Sequence, residues 1–397
     1  MSEPPRASRR AAAHDDAAAT MVREVRQAVL AEQLPLTGAR LAAAVQSTGR
    51  LLGSAGTLRT VDRVQAELQG LGPLQHLAVD PAVTDILVNG PDEVWVDGAD
   101  GLRRTPDRFR TDADLRALAA RLISAGGRRL DDGNPCVDVC LAAFRVHAVL
   151  APVSTRGTLL SIRVQRQREF SIEELTQSGT LDPFMAGSLR KIVERQLNFL
   201  VSGATGTGKT TLLSTLLALS APTERLVTVE DSAELNPRHP HTVSLQSRHG
   251  NSEGVGAVDL ADLVRQALRM RPDRLIVGEC RGAEVRDLLT AMNTGHSGAG
   301  GTIHANSAES VPARLMALGS LAGLSREAVT AQAASALDVV VHLVRGQTGR
   351  RVGVIGLVDV DDARQLIVRP ALVRNGTVCE PASAWPRLQA LLDRGQP

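Results

Sequence analysis

The chain has 397 residues, 43% of them hydrophobic, enough for two or three domains with cores of their own. A formal net charge of +2 supplies no strong field for nucleic acid or an anionic membrane, and 2% aromatics with no tyrosine argue against base-stacking platforms. No apolar run approaches the roughly 20 residues of a bilayer span, and the N-terminus lacks the apolar region of a signal peptide, so a cytoplasmic protein is expected.

Residues 1–18 are rich in Ala, Arg, Ser and Pro without apolar periodicity and are expected to be disordered. Over 19–71, apolar residues recur at helical spacing (Met21, Val25, Val29; Leu41, Val45; Leu58, Val61, Val64, Leu68), broken by Pro35 and a Gly-containing stretch. This predicts a helical extension. Residues 72–165 read as a small α/β domain, with a hairpin of strands over 84–90 and 93–98, a helix over 112–125, and strands over 144–149 and 158–164. The polar stretch 166–186 is expected to be a linker.

Residues 187–365 alternate apolar strands with helices, as a parallel doubly wound sheet requires. Strands are expected over 198–202, 226–229, 242–245, 275–277, 302–304, 339–344 and 352–360. Helices are expected over 210–219, 260–270 and 284–292. Residues 366–397 contain Pro370, Pro381 and Pro386 and read as a loose tail or short helix. Four cysteines, Cys136, Cys140, Cys280 and Cys379, do not make a disulfide framework at this size and are expected to be buried and inert.

The chain has 43 arginines and two lysines, and one of the lysines is Lys209. It lies in Gly203-Ala204-Thr205-Gly206-Thr207-Gly208-Lys209-Thr210, which satisfies the phosphate-loop pattern G-x-x-x-x-G-K-[ST] with a strand before it and a helix after it. A compact ammonium fits between two phosphates under a tight loop where a planar guanidinium does not. Backbone N–H groups around Gly203, Ala204, Thr205, Gly206, Thr207 and Gly208, with Lys209, Thr210 and Thr211 opening the helix, are the expected phosphate ligands. The Thr210 hydroxyl is the expected ligand of Mg2+.

Two acidic sites follow. Glu230, in Val229-Glu230-Asp231-Ser232-Ala233-Glu234, closes one strand, and Glu279, in Leu275-Ile276-Val277-Gly278-Glu279, closes another. Both fall at the sheet edge where open α/β folds bind ligands. Hydrolysis of a phosphoanhydride needs one acid to hold Mg2+, usually through water, and one to orient the attacking water. Glu279 and Glu230 are the pair expected to do so. Gly295-His296-Ser297-Gly298 and Thr302-Ile303-His304-Ala305-Asn306 place two histidines around a Gly-rich loop. Either can act as a phosphate sensor or an inter-subunit contact.

These four motifs occur in the order found in the type II/type IV secretion ATPases, and the chain resembles that family over about residues 75–360. The run Arg265-Gln266-Ala267-Leu268-Arg269-Met270-Arg271-Pro272-Asp273, with Asn293-Thr294-Gly295-His296, resembles its CpaF/TadA branch, which powers tight-adherence (Flp-type) pili. The resemblance implies a RecA-like ATPase domain, a homo-hexameric ring binding ATP and Mg2+, and an inner-membrane platform protein as partner. It implies membrane association only through partners, at the inner face of the plasma membrane. It also implies that arginines of the N-terminal domain reach the nucleotide, which here means Arg145 and Arg163. A pilus-assembly or secretion motor is the expected function. A conjugal-transfer ATPase and a slowly hydrolysing nucleotide-gated scaffold are the alternatives, and direct nucleic-acid contact is not expected.

Overall fold

A computed structural model describes residues 70–98, 101–141, 143–164, 169–248, 250, 256–346, 349–376 and 378–393. The segment expected to be disordered and nearly all of the expected helical extension lie outside the described residues. The chain divides into two compact units between residues 166 and 167.

In the first unit, a short helix α1 (Gln75–Val79) precedes strands β1 (Val83–Asn89), β2 (Val94–Gly98) and β3 (Arg103–Arg104). Helix α2 (Asp112–Ala125) follows, then β4 (Cys136–Leu141), β5 (Phe144–Val149) and β6 (Leu159–Val164). The six strands form one sheet in the order β3-β2-β1-β6-β5-β4. Thr111 starts α2 by accepting the Asp114 N–H at 3.2 Å. Leu115, Leu118, Ala119, Leu122 and Ile123 then form the buried stripe of α2 and share a core with Ile86, Val146, Ala148, Leu160 and Ile162 of the sheet. Strict alternation along β5 and β6 leaves Arg145, His147, Ser161 and Arg163 on the other face.

The second unit begins with two helices, α3 (Ile172–Gln177) and α4 (Pro183–Glu194). The stretch expected as a linker therefore contains one helix and the start of another. Its polar residues are caps: Ser171 and Glu174 form a reciprocal capping box, and Asp182 caps α4 just before Pro183. Next come β7 (Phe199–Gly203), α5 (Lys209–Leu217), β8 (Leu226–Glu230), β9 (Thr242–Gln246), α6 (Leu260–Ala267), β10 (Arg274–Cys280), α7 (Glu284–Asn293) and β11 (Gly300–His304). Helices α8 (Val311–Leu321) and α9 (Arg326–Ala336) lead to β12 (Val339–Gly346), β13 (Gly349–Val360), β14 (Leu366–Asn375), β15 (Val378–Pro381) and α10 (Trp385–Asp393).

Among the described residues the sheet has nine strands in the order β15-β14-β13-β12-β7-β11-β10-β8-β9. From β12 to β9 all neighbours are parallel, but β12 to β15 form an antiparallel meander. The expected all-parallel sheet is thus a mixed one. The segment expected as a loose tail is its last two strands and closing helix, and Pro370 sits at a register shift of the β13–β14 ladder, where a missing N–H is tolerated. Strands β7 and β8 are buried at every residue, as a sheet covered on both faces requires. One face packs on α6 to α9, and the other on α3 to α5 and α10.

Asn198 fixes the central register. Its N–H donates to Asp338 Oδ2 at 2.8 Å, its Nδ2 to Ala336 O at 2.7 Å, and its Oδ1 accepts the Ala299 N–H at 3.0 Å. One side chain thereby ties the starts of β7, β11 and β12 together. Because β7, β8, β10, β11 and β12 run parallel, Gly203, Glu230, Glu279, His304 and Arg345 all emerge at the opposite edge.

Of the cysteines, only Cys280 is fully buried, and burial pushes its thiol well up. Cys136 is exposed on the edge strand β4, so the expectation of four buried thiols fails there.

Candidate nucleotide site

The loop between β7 and α5 is a tight cradle. A β-carbon on Gly203 would lie 2.7 Å from both Leu343 O and Thr207 Oγ1, so only glycine lets the strand turn there. Gly208 caps α5 at φ 93°, a left-handed conformation, and this orients the first N–H groups of the helix into the turn. Thr207 Oγ1 closes the loop by donating to Ala204 O at 2.9 Å. Lys209 is 7% exposed, and its Nζ donates to Gly203 O at 3.1 Å and Ala204 O at 3.0 Å. Burial lowers its pKa, Glu279 opposes that, and Arg281 adds to it.

A polar relay runs from this lysine across the sheet edge. Lys209 Nζ lies 3.4 Å from His304 Nδ1, His304 Nε2 lies 2.6 Å from Glu279 Oε1, and Arg281 Nη2 donates to Glu279 Oε2 at 2.5 Å. Burial pushes the Glu279 carboxyl up, but the Arg281 hydrogen bond and the charges of Arg281, His304 and Lys209 outweigh it and hold the group below its usual range. Burial also lowers the His304 pKa against the pull of Glu279. His304 Nε2 and Glu279 Oε1 are in close electrostatic contact, while Nδ1 faces the lysine. Arg281 also lies 3.8 Å from Asp231 Oδ2, and its segment is fixed by Glu284, which accepts the Arg281 and Gly282 N–H groups at 2.5 and 2.7 Å.

Glu230 is placed differently from its expected partner Glu279. Its carboxylate turns back onto its own chain and accepts the N–H groups of Glu234 at 3.1 Å and Leu235 at 3.0 Å. It is 4% exposed, and burial pushes its pKa up to about 7 against those two hydrogen bonds. It packs so closely on the neighbouring strand that a β-carbon on Gly278 would lie 2.5 Å from its Cγ. The acid aimed at the loop lysine is Glu279, and Glu230 shapes the turn beside it.

His296 is not at this edge. It follows α7, where its Nδ1 lies 3.2 Å from Ala291 O, and it precedes β11, which ends at His304. At about 3.3 Å per residue the four steps along β11 from Gly300 to His304 cover roughly 13 Å. The two histidines are close in sequence, but His296 precedes β11 while His304 ends it, so the fold does not bring His296 beside Lys209 and Glu279 within the chain.

In the first unit, Arg145 and Arg163 face each other across β5 and β6. Each already has a carboxylate: Arg145 Nη2 donates to Asp138 Oδ2 at 2.9 Å, and Arg163 Nε to Asp85 Oδ1 at 3.0 Å.

Two groups escaped the sequence reading. Arg281 directly follows the Glu279 strand motif, a position that could have flagged it. His342, buried beside the loop strand with Nδ1 2.9 Å from Ser202 Oγ, carries only the weak signal of one polar residue in an apolar run.

The residues fit a nucleotide with Mg2+. The cradle is one that a β-carbon would fill, the Thr210 hydroxyl makes no hydrogen bond among the described residues, and an ionised carboxylate stands at the same edge.

Residues 67–379 match the family model of the type II/IV secretion system protein. The chain belongs to that family. It is similar to a Mycobacterium tuberculosis protein named for conjugal transfer, with 51% identity over 76% of this chain and 88% of that one. It is also similar to the conjugal transfer protein TrbB of Rhizobium radiobacter, with 31% identity over 74% and 90%. Among solved structures, the VirB11 ATPase of the Brucella suis type IV secretion system is 26% identical and covers 72% of this chain and 96% of that one, at a TM-score of 0.38. The fold of the second unit is RecA-like, with the phosphate loop on a central parallel strand and acids on strands to one side. No helix among the described residues is long and apolar enough to cross a membrane.

Proposed function

We propose that the chain is an ATP-hydrolysing motor of the type II/IV secretion family that works as a hexameric ring against an inner-membrane platform protein. The single observation that supports hydrolysis is the relay joining Lys209 to Glu279 through His304. Lys209 draws in the phosphate chain, and Glu279, kept ionised by Arg281, holds a water in line for attack on the γ-phosphate. His304 lies between the two, so that a change at the phosphate alters the electrostatic surroundings of the acid. Thr210 and Glu279 would hold Mg2+, which neutralises charge developing on the phosphate oxygens. On this reading Arg145 and Arg163 are drawn from their carboxylates to the nucleotide when the motor closes.

The two relatives reported above bear conjugal-transfer names, which favours a transfer role as the second reading beside pilus assembly. Hydrolysis stimulated by single-stranded DNA would move the reading that way.

Lys209→Ala is expected to abolish nucleotide binding. Glu279→Gln is expected to keep binding while turnover falls about 10²- to 10⁴-fold. Phosphate release and calorimetric titration of the purified chain check both, and wild-type turnover in Lys209→Ala would overturn the site.

A further inference from the structure

The edge of the sheet that carries the phosphate loop has a second flank. On one side of β7 lie β11 and β10 with His304 and Glu279. On the other side lie β12 and β13, an antiparallel hairpin paired as far as Gly346 and Gly349. Arg345 and Arg350 are direct cross-strand partners at the end of that hairpin. A β-carbon on Gly208 would lie 3.5 Å from Arg350 Cδ, and one on Gly206 would lie 4.0 Å from Arg345 Nη1. Both arginines therefore stand against the phosphate loop, from the flank opposite Glu279.

Their electrostatics are unbalanced. Like charges directly opposite each other in a ladder destabilise it. Elsewhere the chain pairs its facing arginines: Arg145 has Asp138 and Arg163 has Asp85. Arg345 and Arg350 have no carboxylate and no side-chain hydrogen bond among the described residues. They add to a place already positive from Lys209 and the N-terminus of α5. An oxyanion chain in the loop would relieve all of this repulsion at once, and two guanidinium forks suit phosphate oxygens.

We infer that Arg345 and Arg350 form a second phosphate grip, which holds nucleoside di- and triphosphates in the loop from the β12–β13 flank. The inference rests on the nucleotide-site reading above and adds a division of labour. The acid and histidine lie on the β10–β11 side, where the terminal phosphate must meet water. The arginines hold phosphates that substrate and product share, so they set the affinity for both equally.

The test is the Arg345→Gln/Arg350→Gln double variant of the full chain, titrated with Mg-ADP and with a non-hydrolysable ATP analogue. Both Kd values are expected to rise about tenfold or more, by the same factor, with the loss falling on KM rather than kcat. The Arg345→Lys/Arg350→Lys variant should recover part of the affinity. Unchanged affinity for both nucleotides overturns the inference, and so does weakening confined to the ATP analogue with a collapse of kcat, which would put the arginines at the γ-phosphate. The unmodified protein gives an independent readout: ADP should protect both arginines from phenylglyoxal, followed by peptide mass spectrometry, and equal modification with and without ADP overturns the inference. A wild-type chain that binds no nucleotide would sink the site reading itself, whereas a wild-type and a variant that bind alike sink only this second grip.

Discussion

At the carboxyl edge of the nine-stranded sheet, Glu279 is shared between His304 and Arg281 and stays partly open to solvent. At the amino edge of the same strand, Arg274 is 1% exposed and bound to Glu224 through Nε at 2.6 Å and Nη2 at 3.2 Å, with Nη2 also donating to Val193 O at 2.9 Å. Gln196 completes that cluster by donating to Glu224 at 2.6 Å. The two edges use the same residue types. One leaves its charges several partners in a solvent-accessible row, so that a phosphate can rearrange them. The other buries a single ion pair in the core and ties α4 and the turn before β8 to the base of β10. A charged residue in this fold is therefore read by the edge it occupies as much as by its chemistry.

The sharpest way to break this comparison is Arg274→Ala. It would leave Glu224 half-sealed without its cation and is expected to cost about 3–5 kcal/mol of stability. Urea unfolding would show this, while the fraction that remains folded binds nucleotide with unchanged Kd. A large loss of affinity at unchanged stability would show the amino edge to be functional after all.

Glu230 tests the other edge. Its folded pKa of about 7 lies above the ordinary 4.5, so the folded state takes up a proton between those values. The contribution of this group to stability is level below about pH 4.5, falls as pH rises, and levels off again above about 7. The shift corresponds to about 3 kcal/mol. Urea midpoints at pH 5 and pH 8 should show this fall in the wild type and much less of it in Glu230→Gln. Equal pH slopes would return Glu230 to the role of an ordinary ionised acid.

The smallest contrast is between the histidines. His304→Ala should lower turnover about 10- to 100-fold through loss of the relay, while His296→Ala should change it by less than about threefold. A larger loss at His296 would mark the amino edge as a contact between subunits.

Much of this was legible in the sequence. Helix α2 and strand β5 occupy the residues that apolar periodicity assigned to them, because a stripe or an alternation is what their packing demands. The phosphate loop and Glu279 were legible because backbone curvature and strand polarity restrict which residues can stand there. Helices α8 and α9 were missed, since their alanine- and leucine-rich faces give little contrast between buried and exposed sides. The helical stretch before β7 was missed because Ser171, Glu174 and Asp182 were read as linker polarity instead of as caps. The separation of His296 from His304 was not legible because nearness in sequence to the Gly-rich loop hides that a parallel strand carries the chain from one edge to the other. The Arg345–Arg350 pair could not be found from sequence at all. Nothing in a run of arginines says which of them a hairpin will bring beside a distant loop.

The scarcity of lysine has a practical consequence. Lys209 is buried in the phosphate cradle, whereas Lys191 lies at the surface with its Nζ 2.9 Å from Asp393 Oδ1. Isotopic labelling of lysine would therefore give a two-signal spectrum in which one resonance reports on the phosphate-loop cradle and the other serves as an internal reference. The chain carries its own spectroscopic gauge of whatever enters that cradle.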